Sequence, residues 1–145
     1  MAAIEEIHDS AKARLIGVSN FSADQLQSLC DKARIRPRFV QHRCYASRGW
    51  DRRVRAICSA NGIVYQGFSL PTANEDALAH ADMVGIARRH GRSVSQIVFR
   101  FAIDVGMVPL TGTTDVNHMR DDLDIFAFRL EPHEIEQIEN LAVAN

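Results

Sequence analysis

The sequence has almost no excess charge and no long apolar run, and each shortage excludes a class of protein. Its 17 basic and 18 acidic residues leave a net charge of −1. That balance lacks the basic surface that binds nucleic acid or anionic membranes. No apolar run approaches the ~18 residues that a membrane-spanning helix needs. We therefore expect neither a nucleic-acid partner nor a membrane partner.

Cysteine is also scarce, and its spacing matters more than its number. The three residues Cys30, Cys44 and Cys58 form no CxxC pair, and no HExxH motif occurs. Zinc sites are usually built on such spacings, so we expect no metal site. Unpaired thiols and an acidic N-terminus without secretory features predict a cytoplasmic protein. A reactive thiol at Cys44 remains an alternative to an inert side chain.

The length of the chain limits the fold. With 145 residues, it is expected to form a single domain over residues 1–145. A closed barrel of eight strand–helix units typically needs ~250 residues. A whole barrel of that kind is therefore excluded for this sequence.

Strand-like apolar runs alternate with helical patterns along the chain. The predicted strands cover residues 15–19, 39–42, 63–69 and 107–110. The predicted helices cover residues 4–12, 23–33, 51–61, 81–90, 94–105, 117–123 and 132–142, and residues 70–80 read as a loop. Such alternation predicts an α/β fold with parallel strands and right-handed crossovers. A sheet of four strands also has two exposed edges, which natural proteins usually cover.

Capping signals mark the starts of three helices. Ser22 with Gln25, and Ser93 with Gln96, have the spacing of a capping box, in which two side chains satisfy the first backbone donors. Pro132 fits the first turn of the last helix, where its missing N–H costs nothing.

The run from residue 16 to residue 21 reads as a buried strand that ends in two polar residues, Ser19 and Asn20. In a (β/α) barrel, binding residues lie at this end of a strand. Together with residues 90–96, 106–115 and 123–126, the run resembles the aldo-keto reductase family. The match is to the C-terminal half of the family's barrel only, strands five to eight and the terminal helix. It implies a half TIM-type (β/α) barrel with four parallel strands and flanking helices.

The resemblance implies a nicotinamide dinucleotide site. Ser19, Asn20 and Gln41 correspond to the family's residues that hydrogen-bond the nicotinamide carboxamide, a group with donors and an acceptor. Phe68 stands where the family usually has a tyrosine that stacks on the nicotinamide, and it keeps the aromatic ring. The cover over the pyrophosphate would begin at two further residues, Ser69 and Leu70.

The segment after the fourth strand resembles the part of the site that holds the adenosine. The family usually places a Lys–Ser pair and an arginine around the 2′-phosphate, and the aligned residues here are Gly112, Thr113 and His118. Backbone amides of the turn that begins at Thr111, with the helix start behind it, can still hold an anion. NADP and NAD both remain open, with binding weakened or lost. The family's adenine-binding pair aligns with Asp121 and Asp122.

The family's catalytic Asp, Tyr, Lys and His lie on its first four strands, and no segment of this sequence corresponds to them. We therefore assign no catalytic residue. The resemblance predicts an aldo-keto reductase-like oxidoreductase fragment that is not a self-sufficient carbonyl reductase. Two alternatives stay open: a non-catalytic homodimeric binding module, and one half of a split reductase with a complementing N-terminal half.

An open half-barrel exposes more apolar surface than the few hundred Å² usual for monomers. We therefore expect a homo-oligomer, a dimer in which each copy covers the other's open edges. A more local alternative concerns His42, Arg43 and Tyr45, which follow the second strand. They could form an acid–base set at the carboxyl end of that strand. The simpler interpretation is that these side chains only pack against their neighbours.

Overall fold

The structure is a computed structural model that describes residues 2–141. The strands are β1 (Gly17–Ser19), β2 (Phe39–Arg43), β3 (Val64–Phe68) and β4 (Met107–Leu110). The α-helices are α1 (Ala2–Asp9), α2 (Ala23–Lys32), α3 (Arg52–Ala60), α4 (Glu75–Ala79), α5 (Ala81–His90), α6 (Val94–Asp104), α7 (Val116–Asp124) and α8 (Pro132–Asn140). Short 3₁₀ helices at Ala46–Asp51 and Ile125–Ala127 precede α3 and follow α7.

The four strands form one open sheet in the order β1-β2-β3-β4, and all neighbours are parallel. This confirms the expected α/β class with four parallel strands and flanking helices. Because the strands are parallel, their carboxyl ends meet at one edge of the sheet. The loops that follow the strands therefore lie together there.

The two faces of the sheet differ in burial because side chains alternate along a strand. On one face, Val40, Tyr65 and Met107 are at most 2% exposed and pack against the helices. The central helix of that layer is α6, which is buried from Gln96 to Ala102. The other face is open: Val108, next to Gln66 in the register, is 42% exposed. Ligand-accessible side chains therefore lie on this open face.

The capping predictions are confirmed. Ser22 accepts from the backbone of Gln25, and Ser93 accepts from the backbone of Gln96, with both reciprocal bonds present. Pro132 lies in the first turn of α8, as its missing donor favours. These helix starts depend on interactions between residues three apart or on proline itself, so the sequence alone reveals them.

Some predicted bounds are wrong, as for the first helix, predicted over residues 4–12 and observed at Ala2–Asp9. Residues 70–80, predicted as a loop, contain the helix α4, and Asn74 is buried at its start. The side chain of Asn74 accepts from the backbone of Ala46 at 2.6 Å and donates to the carbonyls of Cys44 and Leu70. Strand β1 is also shorter than residues 15–19, because Leu15 is 57% exposed and stands outside the sheet. The last predicted residue of the terminal helix, Ala142, lies outside the described residues.

No helix among residues 2–141 combines the length and the apolar character needed to cross a membrane.

Candidate functional site

Polar side chains at the carboxyl ends of β1, β2 and β3 form the first part of the candidate site. Ser19 and Gln41 are register partners, and Ser19 Oγ donates to the Gln41 carbonyl oxygen at 3.0 Å. The backbone N–H of Asn20 donates to the same oxygen at 3.2 Å. Asn20 has a positive φ of 59°, a conformation that asparagine tolerates better than most residues. The turn thus holds Ser19 and Asn20 against the end of β2.

The amide of Gln41 lies on the open face of the sheet. Its Nε2 atom donates weakly, at 3.4 Å, to Oε1 of Gln66, its register partner on β3. Sequence reasoning missed Gln66. The signal was present, because Gln66 stands two residues before Phe68 and therefore shares its face. The two amides offer donors and acceptors side by side.

Phe68 ends β3 and is partly exposed, so its ring is available at the same edge. Phe68 and Asn20 both border a pocket of about 650 Å³ at the end of β2. Ser69, next in the chain, has a positive φ of 57°. Leu70 is fully buried in the core, so only its backbone is available to line a cofactor cover.

A second pocket, of about 290 Å³, collects the residues that follow β4. It is bordered by Thr111, Gly112, Thr113, His118, Asp121 and Asp122. Ser93, Ser95 and Gln96, at the start of α6, form its opposite wall and were not predicted. The structure thus brings six sequence-predicted residues together. They border a different pocket from Asn20 and Phe68.

Hydrogen bonds give the second pocket its shape. Thr111 Oγ1 donates to Oδ2 of Asp122 at 2.9 Å, and Gln96 Nε2 donates to the carbonyl of Asp121 at 3.1 Å. Asp115 caps α7 by accepting from two backbone N–H groups, and these bonds hold its pKa below the usual value. A side chain in place of Gly112 would meet no atom within 4 Å, so the backbone there is open to a ligand.

Charge in the second pocket favours a neutral or donor-rich group over a phosphate. Asp121 and Asp122 carry carboxylates, and His118 is the basic side chain of the lining. The carboxylates can accept from an amino group such as that of adenine. An anion would have to depend on backbone amides near Gly112.

Beneath β2, a buried hydrogen-bond cluster joins three side chains. Asp51 Oδ2 contacts His42 Nδ1 at 2.8 Å and accepts from the Tyr65 hydroxyl at 2.6 Å. Burial raises the pKa of Asp51, but the hydrogen bonds from His42 and Tyr65 outweigh it and hold that pKa below its usual value. The pKa of Tyr65 is raised, chiefly by burial, so its hydroxyl is a weaker acid than that of an exposed tyrosine.

His42, Arg43 and Tyr45 border one pocket, but no hydrogen bond found among residues 2–141 joins His42 to Tyr45 as the proposed acid–base set would need. The ring of His42 pairs with Asp51 and Tyr65 on the helix-facing side. The ring of Tyr45 instead contacts the guanidinium groups of Arg43 and Arg48, at 5.8 and 4.9 Å from its centroid. Sequence reasoning missed Asp51, because residue spacing does not show which carboxylate folds under the strand.

The thiol of Cys44 is fully buried, and burial raises its pKa to about 12. A reactive cysteine needs a stabilised thiolate and access to solvent. Cys44 has neither, so its side chain belongs to the core.

Comparison with known proteins gives a consistent result. The model of the Aldo/keto reductase family matches residues 1–143 of this chain. The chain is 29% identical over 139 residues to the glyoxal reductase of Bacillus subtilis, covering 96% of this chain and 50% of that protein. It is also 29% identical over 144 residues to the 9,11-endoperoxide prostaglandin H2 reductase of Trypanosoma cruzi, with the same coverage. The chain thus spans about half the length of these curated relatives.

Solved structures show the same fold. An aldo-keto reductase from a deep-sea metagenome library of the Medee basin superposes with a TM-score of 0.85 at 24% identity, over 97% of this chain and 52% of that one. An aldo-keto reductase of Bombyx mori in complex with NADP superposes with a TM-score of 0.83 at 26% identity, over 95% of this chain and 48% of that one.

Proposed function

Because the chain belongs to the aldo/keto reductase family, we propose that it supplies the nicotinamide dinucleotide-binding part of a carbonyl oxidoreductase. The observation that carries the proposal is the register of Ser19, Gln41 and Gln66, three polar side chains in one row at the carboxyl end of the sheet. Phe68, two residues after Gln66, is on the same face and ends β3. We propose that β1 to β4 correspond to strands five to eight of the family's barrel.

In this proposal, neutral side chains orient the nicotinamide. The amides of Asn20 and Gln41, with the Ser19 hydroxyl, match the donors and acceptor of a carboxamide. The ring of Phe68 provides an apolar surface on which a flat heterocycle stacks. The nicotinamide supplies the hydride when it is bound, and these residues decide which of its faces points to the substrate.

The adenosine would lie toward the second pocket, against Gly112, Thr113 and His118, with Asp121 and Asp122 near the adenine. These residues fit adenine better than a 2′-phosphate, because the lining holds two carboxylates. We propose that both NAD and NADP bind weakly, with no strong preference for NADP.

We propose that the proton donor comes from outside β1–β4. The sequence has two tyrosines, Tyr45 and Tyr65. Tyr65 is buried with its hydroxyl bonded to Asp51, and the ring of Tyr45 contacts two arginines, so neither lies in the row of Ser19 and Gln41. Carbonyl reduction then needs a separate segment, which supports the hypothesis of a complementing half.

Binding of dinucleotides tests this proposal directly. Titration with NADH and NADPH, followed by fluorescence, should saturate, and Asn20→Ala with Gln41→Ala should weaken binding at least about tenfold. Gln137→Ala is the matched control, because Gln137 is exposed on α8 and remote from the site. No saturable change at millimolar dinucleotide would refute the proposal.

A second proposal concerns assembly, and the exposed apolar residues support it. The large hydrophobic side chains that are exposed among the described residues fall into two groups. One group, Ile4, Ile7 and Leu15, precedes the edge strand β1 in the chain; the other lies on or after the edge strand β4 and comprises Val108, Val116, Met119, Leu123 and Phe126. We propose that a second copy of the chain covers both groups in a dimer.

Sedimentation tests the dimer. We expect a mass of about twice 16.2 kDa. Leu123→Glu, at a position 72% exposed, should shift the protein toward the monomer, whereas Arg88→Glu on α5 should not. A well-folded monomer with cooperative unfolding would contradict the dimer. A stable complex with a separately expressed N-terminal half would favour the split reductase instead.

We also propose a reducing, cytoplasmic compartment, because Cys30, Cys44 and Cys58 are free and buried. The near-zero net charge supports small-molecule and protein partners over nucleic acid.

A further inference from the structure

The pocket at the end of β2 carries positive charge that the proposed nicotinamide site does not use. Arg43 ends β2, and Arg48 lies in the 3₁₀ helix that follows. Both border the pocket of about 650 Å³, and both guanidinium groups contact the ring of Tyr45. The two side chains are exposed, so a ligand can reach them.

Within residues 2–141, no carboxylate forms an ion pair with Arg43 or Arg48. Many other arginines of the described chain are paired; Arg34, Arg53 and Arg92, for example, contact aspartates. Stacking on Tyr45 orders a guanidinium and leaves its N–H donors free.

One ring nitrogen of a buried histidine in the same wall also lacks a hydrogen-bond partner within residues 2–141. His42 is 8% exposed and borders the pocket, and its Nδ1 atom is bonded to Asp51. Its Nε2 atom is buried without a hydrogen-bond partner among the described residues. Buried polar atoms are rarely left unpaired, and with Nδ1 donating to Asp51 the Nε2 lone pair can accept from a donor such as a water molecule.

One group in the lining opposes an anion. Asp51 carries a carboxylate, whose pKa is held low. Its Oδ2 atom is already engaged by His42 and Tyr65. Two guanidinium groups against one engaged carboxylate leave the pocket positive.

We propose that this pocket binds the oxyanion of a small molecule, a phosphate or a carboxylate, through Arg43 and Arg48. Guanidinium groups bind such groups through two parallel hydrogen bonds. Asn20 and Phe68 border the same pocket, so the oxyanion would lie beside the proposed nicotinamide site. The assignment does not depend on dinucleotide binding, because it rests on Arg43 and Arg48.

Calorimetric titration with inorganic phosphate and with succinate, at low ionic strength and without dinucleotide, tests the site. We expect saturable binding, weakened at least about tenfold in Arg43→Gln with Arg48→Gln. Arg88→Gln is the matched control, because Arg88 is an exposed arginine on α5, away from this pocket. A thermal melt of each variant excludes loss of folding.

Two outcomes would overturn the proposal: no saturable binding of either anion, or binding that the double variant leaves unchanged. A repeat with NADPH present identifies the source of the oxyanion. Phosphate that still binds beside NADPH indicates a second, anionic small molecule. Phosphate that NADPH displaces indicates the phosphates of the dinucleotide itself, and the double variant should then weaken NADPH binding by a similar factor. Failure of NADPH to bind at all would refute the nicotinamide proposal and leave the phosphate result standing.

Discussion

Tyr65 donates a hydrogen bond of 2.6 Å to Oδ2 of Asp51, the same oxygen that His42 Nδ1 contacts at 2.8 Å. The bond joins the middle of β3 to the residue just before α3. Asp51 has a positive φ of 53°, so the backbone there is held in a conformation that aspartate adopts infrequently. The cluster therefore ties the end of β2 to the 3₁₀ helix, the two elements that carry Arg43 and Arg48 of the proposed oxyanion site.

Removing the Tyr65 hydroxyl should destabilise the protein. Tyr65→Phe leaves the buried carboxylate of Asp51 with one partner fewer, and hydrogen bonds to charged groups contribute about 1.5–3 kcal/mol. Denaturant unfolding measures the loss. Tyr45→Phe is the control, because no hydrogen bond of the Tyr45 hydroxyl is found among residues 2–141, and its change should stay below about 0.5 kcal/mol. Equal losses in the two variants would contradict a specific role for the bond to Asp51.

Acid should unfold the protein partly through Glu134 on α8. Glu134 is 2% exposed and contacts Arg89 and His90 of α5. Burial raises its pKa, but hydrogen bonds from His90, the Glu131 backbone and Arg89 hold it below the ordinary value of 4.5. A lowered carboxyl pKa contributes stability that is present above the unfolded-state pKa and is lost as pH falls through the folded-state pKa.

Thermal melts from about pH 3 to 7 test this sign. Glu134→Gln should lower the melting temperature at pH 7 and flatten the decline of stability below about pH 4.5. Glu136→Gln, at an exposed position of the same helix, should leave the pH profile unchanged. If Glu134→Gln loses as much stability at low pH as the unchanged protein does, the loss is caused by other carboxyl groups.

The thiols should be unreactive in the folded protein. Burial raises the pKa of Cys44 and of Cys58 to about 12, and Cys30 is 2% exposed. We expect a thiol reagent to modify none of the three at pH 8 and all of them in guanidinium. Rapid native modification of one residue, located by mass spectrometry, would show that the helix layer opens around it.

Glycine is required at position 17 for a steric reason. A Cβ atom there would approach the Phe39 carbonyl oxygen to 2.9 Å, across the β1–β2 pairing. Gly17→Ala should therefore cost about 1–3 kcal/mol of unfolding free energy. Gly85→Ala is the contrasting variant, since its nearest contact is the flexible Arg89 side chain at 3.7 Å in the middle of α5. It should stabilise by about 1 kcal/mol, because alanine is the better helix former.

Local signals explain what could be predicted of the fold. The capping boxes at Ser22 and Ser93 depend on residues three apart, so spacing alone reveals them. Helix α4 was missed because five residues give too little periodicity, and its start depends on Asn74 bonds to Cys44 and Ala46, which are distant in sequence.

The candidate site, too, was predicted in part from the sequence and decided in part by the tertiary structure. Resemblance of the strand ends predicted Ser19, Asn20 and Gln41, and the parallel register then placed Ser19 beside Gln41. The resemblance grouped Ser69 with Leu70 as the start of the cofactor cover, and only the structure shows that Ser69 is partly exposed while the Leu70 side chain is fully buried.

The sequence by itself determined the alternation of strands and helices, the helix starts at Ser22 and Ser93, and the family, because each is carried by neighbouring residues or by ordered motifs. Only the tertiary structure decided which side chains share a pocket. It placed Asp51 under Tyr65 and left Arg43 and Arg48 without a carboxylate partner within residues 2–141. Contacts of this kind join elements that are separate in the chain, and they are fixed by packing and burial, which no local pattern encodes.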